Sequence, residues 1–393
     1  MRFSNKTVRC QTYTVFQCLT HKTLAVLMAT IVAVVFLCAF CMSGCSVQTV
    51  ATTRTDEPAG IVAGSESENG DTIEFVDSVG RKMRIPKNIE RVVPSGHVAT
   101  MVLLSFDAKK LVSVGSQVDD DTLTYYADAD YIKNLPATGA AFGGKGDLNK
   151  EEIGKLNPQI LIDVGESKDG IADDLDELQN QLGIPCIFIS ATLSSYANTY
   201  DLLGQIFGES ERAAELGTFA TNAYSSAQNA KTNAAQVPKI ANIVGTDGVN
   251  AIAKGTYQSA VIDVVAENAV SVENPVNKGS GNTIDLEQLN NFNPSILFFQ
   301  DEDVMNEALN SDAWKSMAAL IENRVYFVPS EPYCWLNNPP SVNQILGLTW
   351  MSHLLYPEQF FDSLESAVNS YFQTFYGKSL SEDELSKLLT CAR

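Results

Sequence analysis

The sequence predicts an α/β protein of two Rossmann-like lobes joined by one long rigid α-helix. Three observations point there. Short apolar runs alternate with helical patterns on both sides of the middle of the chain, one uninterrupted amphipathic stretch separates the two regions, and a helix-stop-strand unit occurs once in each half.

The alternation begins near Asp71. Ile73 and Phe75, a turn at Asp77-Ser78-Val79-Gly80, then Arg81, Met83 and Ile85 predict a hairpin that Pro86 ends. Arg91-Val92-Val93 opens the first core strand and Val98 to Phe106 the helix after it. Leu111–Val114, Ile160–Val164 and Pro185–Ser190 predict buried strands, with helices at Lys150–Leu156 and Asp174–Leu182. In the second half strands are expected at Ile240–Val244, Ile296–Phe299 and Val325–Val328. Helices are expected at Ser259–Glu267, Leu286–Phe292, Asn343–Leu355 and Phe361–Tyr376.

Between the halves, Glu211 to Gln236 has no proline, and Leu216, Ala220, Ala223, Ala227, Ala230 and Ala234 form one apolar stripe. Ser210 is placed to cap this helix and Pro238 to stop it. It reads as a strut between lobes or as an ordinary long surface helix. The echo favours the strut. Glu151-x-Ile153-x-x-Leu156-Asn157-Pro158-x-Ile160-Leu161 matches Glu287-x-Leu289-x-x-Phe292-Asn293-Pro294-x-Ile296-Leu297 in type and spacing. Each copy is a short amphipathic helix stopped by Asn-Pro and feeding a buried strand. The expected division is an N-terminal lobe over 71–209, the connecting helix over 210–237 and a C-terminal lobe over 238–393.

Residues 1–44 are set aside as a signal peptide. Arg2, Lys6, Arg9 and Lys22 precede an apolar run from Leu24 to Cys41, and Met42-Ser43-Gly44-Cys45 closes it. A membrane-spanning anchor is the other reading of the run. The small pair before Cys45 resembles the lipobox of bacterial lipoproteins, which implies lipidation at Cys45 and an extracytoplasmic, membrane-anchored domain. Residues 45–70, poor in large apolar side chains, read as a flexible tether. Without the four leading basic residues, 23 basic stand against 47 acidic, a charge of −24. Such a surface repels nucleic acid, so no nucleic-acid partner is expected. After Cys45 only Cys186, Cys334 and Cys391 remain, with no metal-type spacing; they permit one disulfide and require none.

The chemistry of common enzymes is missing. Gly143-Gly144-Lys145-Gly146 lacks Walker spacing, and there is no G-x-S-x-G elbow and no H-E-x-x-H. Only His97 and His353 follow the signal segment, too few for the usual bare-ion site. No enzyme, resident cofactor or protein-held metal is therefore expected, with an exported hydrolase as the rival reading. His353 reads as a packed or surface helix residue. Ser95-Gly96-His97 lies between a strand and a helix, where α/β sheets place ligands and free N–H groups meet anions. The Pro-rich loop after Val328 carries Tyr333 and Trp335, with Asn337 and Asn338 as amide donors, and reads as a ligand pocket or as a packed surface loop.

Asp77-Ser78-Val79-Gly80-Arg81, Ile85-Pro86, Arg91-Val92-Val93, Leu135-Pro136-x-x-Gly139 and the two Asn-Pro copies together resemble the iron-chelate and cobalamin family of periplasmic binding proteins. Asn338-Pro339-Pro340-Ser341-x-Asn343 through Trp350 to Pro357 is similar to a branch of that family associated with molybdate or tungstate and with iron chelates. The resemblance implies a ligand cleft between the lobes, a permease and an ATPase of an ABC importer as partners, and a monomeric binding protein. The cargo expected is a metal chelate (ferric siderophore, haem- or cobalamin-like), with molybdate or tungstate as the alternative. Family members hold cargo with cleft-facing basic and aromatic residues. Lys145, Lys168, Lys254 and Lys278 lie in Gly-containing loops, and Lys145 and Lys254 are taken as ligand candidates. Tyr257 and Gln258, opening a helix of the second half, are the candidates for the opposite wall.

Overall fold

The chain first folds a small antiparallel sheet. The computed structural model describes residues 52–67, 70–142, 146–246, 248 and 250–390. The expected signal peptide, Cys45 and Lys145 lie outside these residues. Strands β1 (Thr53–Arg54), β2 (Gly60–Ile61), β3 (Thr72–Val76) and β4 (Arg81–Pro86) are ordered β1-β4-β3-β2. The expected hairpin is β3–β4. The expected tether is corrected at its C-terminal part. Thr53 and Arg54 pair with Lys82 and Arg81, Gly60 and Ile61 pair with Val76 and Phe75, and Arg54 contacts Asp173 at 3.1 Å and Asp176 at 2.8 Å. Edge strands are held by backbone hydrogen bonds, so a segment poor in large apolar residues can still form them.

The N-terminal lobe is built on a parallel sheet of β5 (Val92–Pro94), β6 (Ile160–Gly165) and β7 (Cys186–Ser190). Leu111–Val114 is not a continuous strand. Val112 N–H donates to Val92 O and Val114 N–H to Pro136 O, each at 3.0 Å, so the segment crosses from one neighbour to another.

The C-terminal lobe carries β8 (Lys239–Val244), β9 (Asn250–Ala251), β10 (Glu267–Asn268), β11 (Asn282–Thr283), β12 (Ile296–Phe299) and β13 (Val325–Phe327). Their order is β11-β9-β8-β12-β13, with β10 also pairing β8. β8, β10, β12 and β13 run parallel, and β9 and β11 antiparallel to their neighbours.

The sequence echo is a structural one. Helices Lys150–Leu156 and Leu286–Phe292 each end on an asparagine in the left-handed conformation, Asn157 at φ 47° and Asn293 at φ 50°, and each feeds a buried strand. Asparagine tolerates this conformation, and the proline that follows forbids further helix.

The long helix spans Ser210–Asn233, 24 residues or about 36 Å. Leu216, Ala220, Ala227 and Ala230 of its stripe are buried. The expected cap and stop are both corrected. Gly208, at φ 72°, ends the helix Tyr196–Phe207, and the chain re-enters helix after Glu209, so Ser210 lies inside and caps nothing. The C-terminus stops at Asn233, before Pro238, where Lys231 Nζ donates to Asp263 O (2.7 Å) and Ala266 O (2.6 Å) of the C-terminal lobe. The helix packs on His97–Asp107 and Tyr196–Phe207 of one lobe and on Ala260–Val265 and Asn343–Leu355 of the other.

Helix Tyr196–Phe207, not expected from the sequence, lies against the long helix so closely that a Cβ on Gly204 would come within 2.6 Å of the Ala213 Cβ. Gly204→Val is therefore expected to destabilise the protein by about 1–3 kcal/mol in equilibrium urea unfolding. An unchanged midpoint would show that the two helices can separate freely.

The boundary at 238–393 is also corrected. Helix Leu364–Tyr376 packs on His97–Asp107 of the N-terminal lobe, Ala127 N–H donates to Tyr376 O at 2.9 Å, and Arg212 Nη2 donates to Thr374 O at 2.7 Å. One hydrophobic core consequently runs from Leu103 and Tyr200 through Phe375 and Trp350 to Phe298.

Candidate functional site

A cavity of about 460 Å³ opens between the lobes at the carboxyl ends of β5 and β6. Ser95, Gly96 and His97 line one side; Tyr257 and Gln258 line the other. The sequence names these five separately, and the fold brings them around one space.

The first wall is set by backbone packing. Ser95 N–H donates to Ile162 O (3.0 Å) and Ala141 N–H to Ser95 O (2.7 Å). A Cβ on Gly115 would lie 2.5 Å from the Gly96 carbonyl carbon, so glycine at 115 is what lets the neighbouring loop close on this turn. Helix His97–Asp107 starts at Gly96 with no side-chain cap and no acidic residue in its first turn. Its first N–H groups therefore give the cavity a positive dipole end. His97 Nδ1 is 2.9 Å from Ser116 Oγ, and its ring meets Tyr333 edge-on at 5.7 Å. Burial lowers the His97 pKa, favouring the neutral imidazole.

The second wall is a single 3-10 turn, Tyr257–Ser259, fixed by a capping box between Thr256 and Ser259. Tyr257 OH reaches over to donate to Ala191 O at 2.8 Å, and Asn277 Nδ2 donates to Glu166 Oε2 at 2.7 Å. Both bonds join the lobes. Burial first, and the Glu166 charge second, push the Tyr257 phenol up, so it stays protonated and can only donate or accept as a neutral hydroxyl. Gln258 also lines the cavity, and its Oε1 is buried without a hydrogen-bond partner.

The floor holds residues that the sequence reading did not select. Asp163 on β6 accepts a hydrogen bond from Ser95 Oγ, and Glu166 and Lys168 follow on the loop after the strand. Burial outweighs the Ser95 bond and the Lys168 charge and pushes the Asp163 carboxyl up to about 6. Phe142, Phe188 and Ile171 supply apolar surface. The signal that could have found the acidic pair is the one that found His97: residues at the carboxyl end of a parallel strand.

Five of the expected ligand residues that the structure describes, Tyr333 among them, do not line the cavity. Trp335 is fully buried, its Nε1 donating to Glu331 O at 2.8 Å and its ring edge-on to Trp350 at 6.0 Å. Asn337 is also buried, its Oδ1 accepting from Gln300 Nε2 at 2.6 Å. Asn338 is exposed beside Gly279, and Lys254 is exposed in the turn before Thr256; neither lines the cavity. The Pro-rich loop packs inward on its aromatic face and serves the site from behind. Pro340 reaches the lining, Ser341 Oγ donates to Val98 O at 3.2 Å, and Tyr333 backs His97. Lys278, considered with the other loop lysines, does not line the cavity either. Cys186 and Cys334 are free thiols. Among the described residues no helix is long and apolar enough to cross a membrane. His353 sits on helix Asn343–Leu355, outside this cavity's lining, stacked on Phe360 at 4.1 Å.

Comparison with known proteins places this geometry in context. A family model described as "Periplasmic binding protein" matches residues 107–332. A curated relative, the molybdate-binding protein MolA of Haemophilus influenzae, is 23% identical over 341 residues, 80% of this chain and 93% of the relative. Among solved structures, an ABC transporter solute binding protein from Sulfurospirillum deleyianum superposes with a TM-score of 0.72 at 21% identity, over 81% of this chain and 99% of that one. A periplasmic solute binding protein from Veillonella parvula gives 0.64 at 22% identity, over 81% and 98%. These likenesses agree with the two-lobed fold around an interlobe cleft.

Proposed function

Since the chain belongs to the periplasmic binding protein family, we propose that it is the solute-capturing subunit of an ABC importer and that its cargo is a metal chelate of low net charge. The observation that carries this reading is the interlobe cavity, walled by Ser95–His97 and Tyr257–Gln258 and bridged by two interlobe hydrogen bonds. Its volume, about 460 Å³, falls within the roughly 300–1,000 Å³ of small-molecule sites. The described lining residues carry three carboxyl groups, Asp147, Asp163 and Glu166, against one lysine, Lys168. That balance disfavours a highly charged anion. Among the described residues no group of three or more His, Cys, Asp or Glu is placed to hold a metal ion, so a metal cargo would arrive with its own ligands. Capture needs no covalent step. The partners of this reading are a permease and an ATPase, the anchor a lipid on Cys45, the location the outer face of the cell membrane, and the state a monomer.

Molybdate or tungstate is the second reading. It is favoured by the uncapped helix N-terminus at His97 and by the molybdate-binding relative. One experiment separates the two. The protein is titrated calorimetrically with ferric hydroxamate and catecholate chelates, haem, cobalamin, molybdate and tungstate. We expect a chelate to bind at micromolar affinity or tighter, and His97→Ala and Tyr257→Ala each to weaken it about tenfold or more through lost hydrogen bonds. Binding confined to the oxyanions would select the second reading. No binding by any of them would defeat both.

A further inference from the structure

Asp163 interrupts a strand that is otherwise aliphatic, Ile160-Leu161-Ile162-Asp163-Val164, and its side chain reaches the floor of the interlobe cavity. A carboxylate taken out of water there needs a compensating charge or several hydrogen bonds. Its side-chain partner is the Ser95 hydroxyl. The ionisable groups around it come from five segments. His97, on the first turn of helix His97–Asp107, tends to be neutral. Glu166 and Lys168 stand on the following loop and Asp147 on the loop opposite. On β7, burial pushes the Cys186 thiol up to about 12, so it is uncharged. Across the cleft, Tyr257 is a neutral phenol. Among the described residues Lys168 is thus the one cation lining the cavity, and Glu166, its side chain held by Asn277, adds a carboxylate.

We propose that Asp163 is a proton-linked specificity residue: the cargo turns an anionic or electron-rich oxygen toward the cavity floor, and its capture takes up one proton on this carboxyl. The inference rests on the cargo reading above. An unprotonated Asp163 would repel such an oxygen, whereas a protonated one donates its O–H to it, with Ser95 still donating to the other side. The free carboxyl has its midpoint near 6. Affinity is then constant below about pH 6 and falls by up to tenfold per pH unit above it, until the midpoint of the loaded protein is reached. A cargo that is all donor toward the floor would show the opposite slope. The site would thereby favour chelates whose outer face carries hydroxamate or carboxylate oxygens.

The test uses the whole folded protein and its Asp163→Asn variant, which keeps an acceptor for Ser95 and mimics the protonated state. Both are titrated with the same chelates and with molybdate at pH 7.5 in two buffers of different ionisation enthalpy. Wild type should take up about one proton per cargo bound. Asp163→Asn should bind at least as tightly at pH 8 and exchange none. Binding without proton uptake, or identical uptake by the variant, overturns the proposal. A second arm needs no cargo. Because burial raises the folded carboxyl above its unfolded value, wild-type stability should drop as pH rises from about 4 to 6. The variant should therefore melt above wild type at pH 8, with the gap closing by pH 4. A gap that does not change with pH also overturns the proposal. If the gap behaves as expected and no cargo binds, the cargo reading has failed and the proton link falls with it.

Discussion

Arg81→Met is expected to destabilise the protein by about 3–5 kcal/mol, measured by equilibrium denaturation. Arg81 is fully buried, and so is its partner Asp77. Arg81 Nη1 donates to Asp77 Oδ2 (2.9 Å) and to Cys186 O (2.6 Å), and Nε donates to Asp176 Oδ1 (2.9 Å). Asp77 also accepts the N–H groups of Arg81, Val79 and Phe188. The cluster fastens the hairpin to β7, the same junction at which Ser78 N–H donates to Phe188 O. Burial pushes the Asp77 carboxyl up in spite of the backbone N–H groups and the Arg81 charge. Methionine would fill the volume and leave that carboxylate unpaired. The double variant Asp77→Asn with Arg81→Met should therefore be more stable than Arg81→Met alone. A double variant at least as unstable as the single one would show that the guanidinium matters for its bonds to Cys186 and Asp176, and not for its charge on Asp77.

How far the fold could be read in advance depends on what each signal encodes. Asn157-Pro158 and Asn293-Pro294 were legible because a proline cannot continue a helix beyond its first turn, and both stops occur where the pattern puts them. The long helix was legible from its stripe, but its ends were not. Ser210 and Pro238 are capable of capping and stopping, yet the turn at Gly208-Glu209 and the Lys231 bonds to the other lobe decide the limits. Helix Tyr196–Phe207 carries Tyr196, Tyr200, Leu203 and Phe207 at helical spacing and could have been read. Strands Thr53–Arg54 and Gly60–Ile61 could not, since two-residue edge strands leave no periodicity. At the site, strand-end logic finds Ser95–His97 from local order alone. Choosing Asp163 and Glu166 among 47 acidic residues needs the same logic applied to β6. The aromatic loop shows the limit. Composition says that Tyr333 and Trp335 are large and amphipathic; only packing says which way each ring turns.

Trp335→Ala brings that limit to an experiment. If the indole lined the cleft, its loss would cost affinity and spare stability. The structure predicts the reverse order of effects: a loss of about 3–5 kcal/mol in stability, as for a large buried aromatic side chain. The ring is fully buried against Trp350, and its Nε1–H is satisfied by Glu331 O within the same loop. The loop backbone is equally committed. Trp335 N–H donates to Pro329 O at 3.0 Å, and Trp335 O lies so near helix Asn343–Leu355 that a Cβ on Gly347 would stand 2.0 Å from it. Removing the indole opens a cavity under this contact that neither the loop nor the helix can close without moving the other. Binding should change second and less, through Pro340 and the Ser341–Val98 bond that steady the first wall. The check is thermal melting together with cargo titration well below the melting point of the variant. A melting temperature equal to that of wild type, with affinity lost as in His97→Ala, would put the indole in the cleft and contradict the packing described.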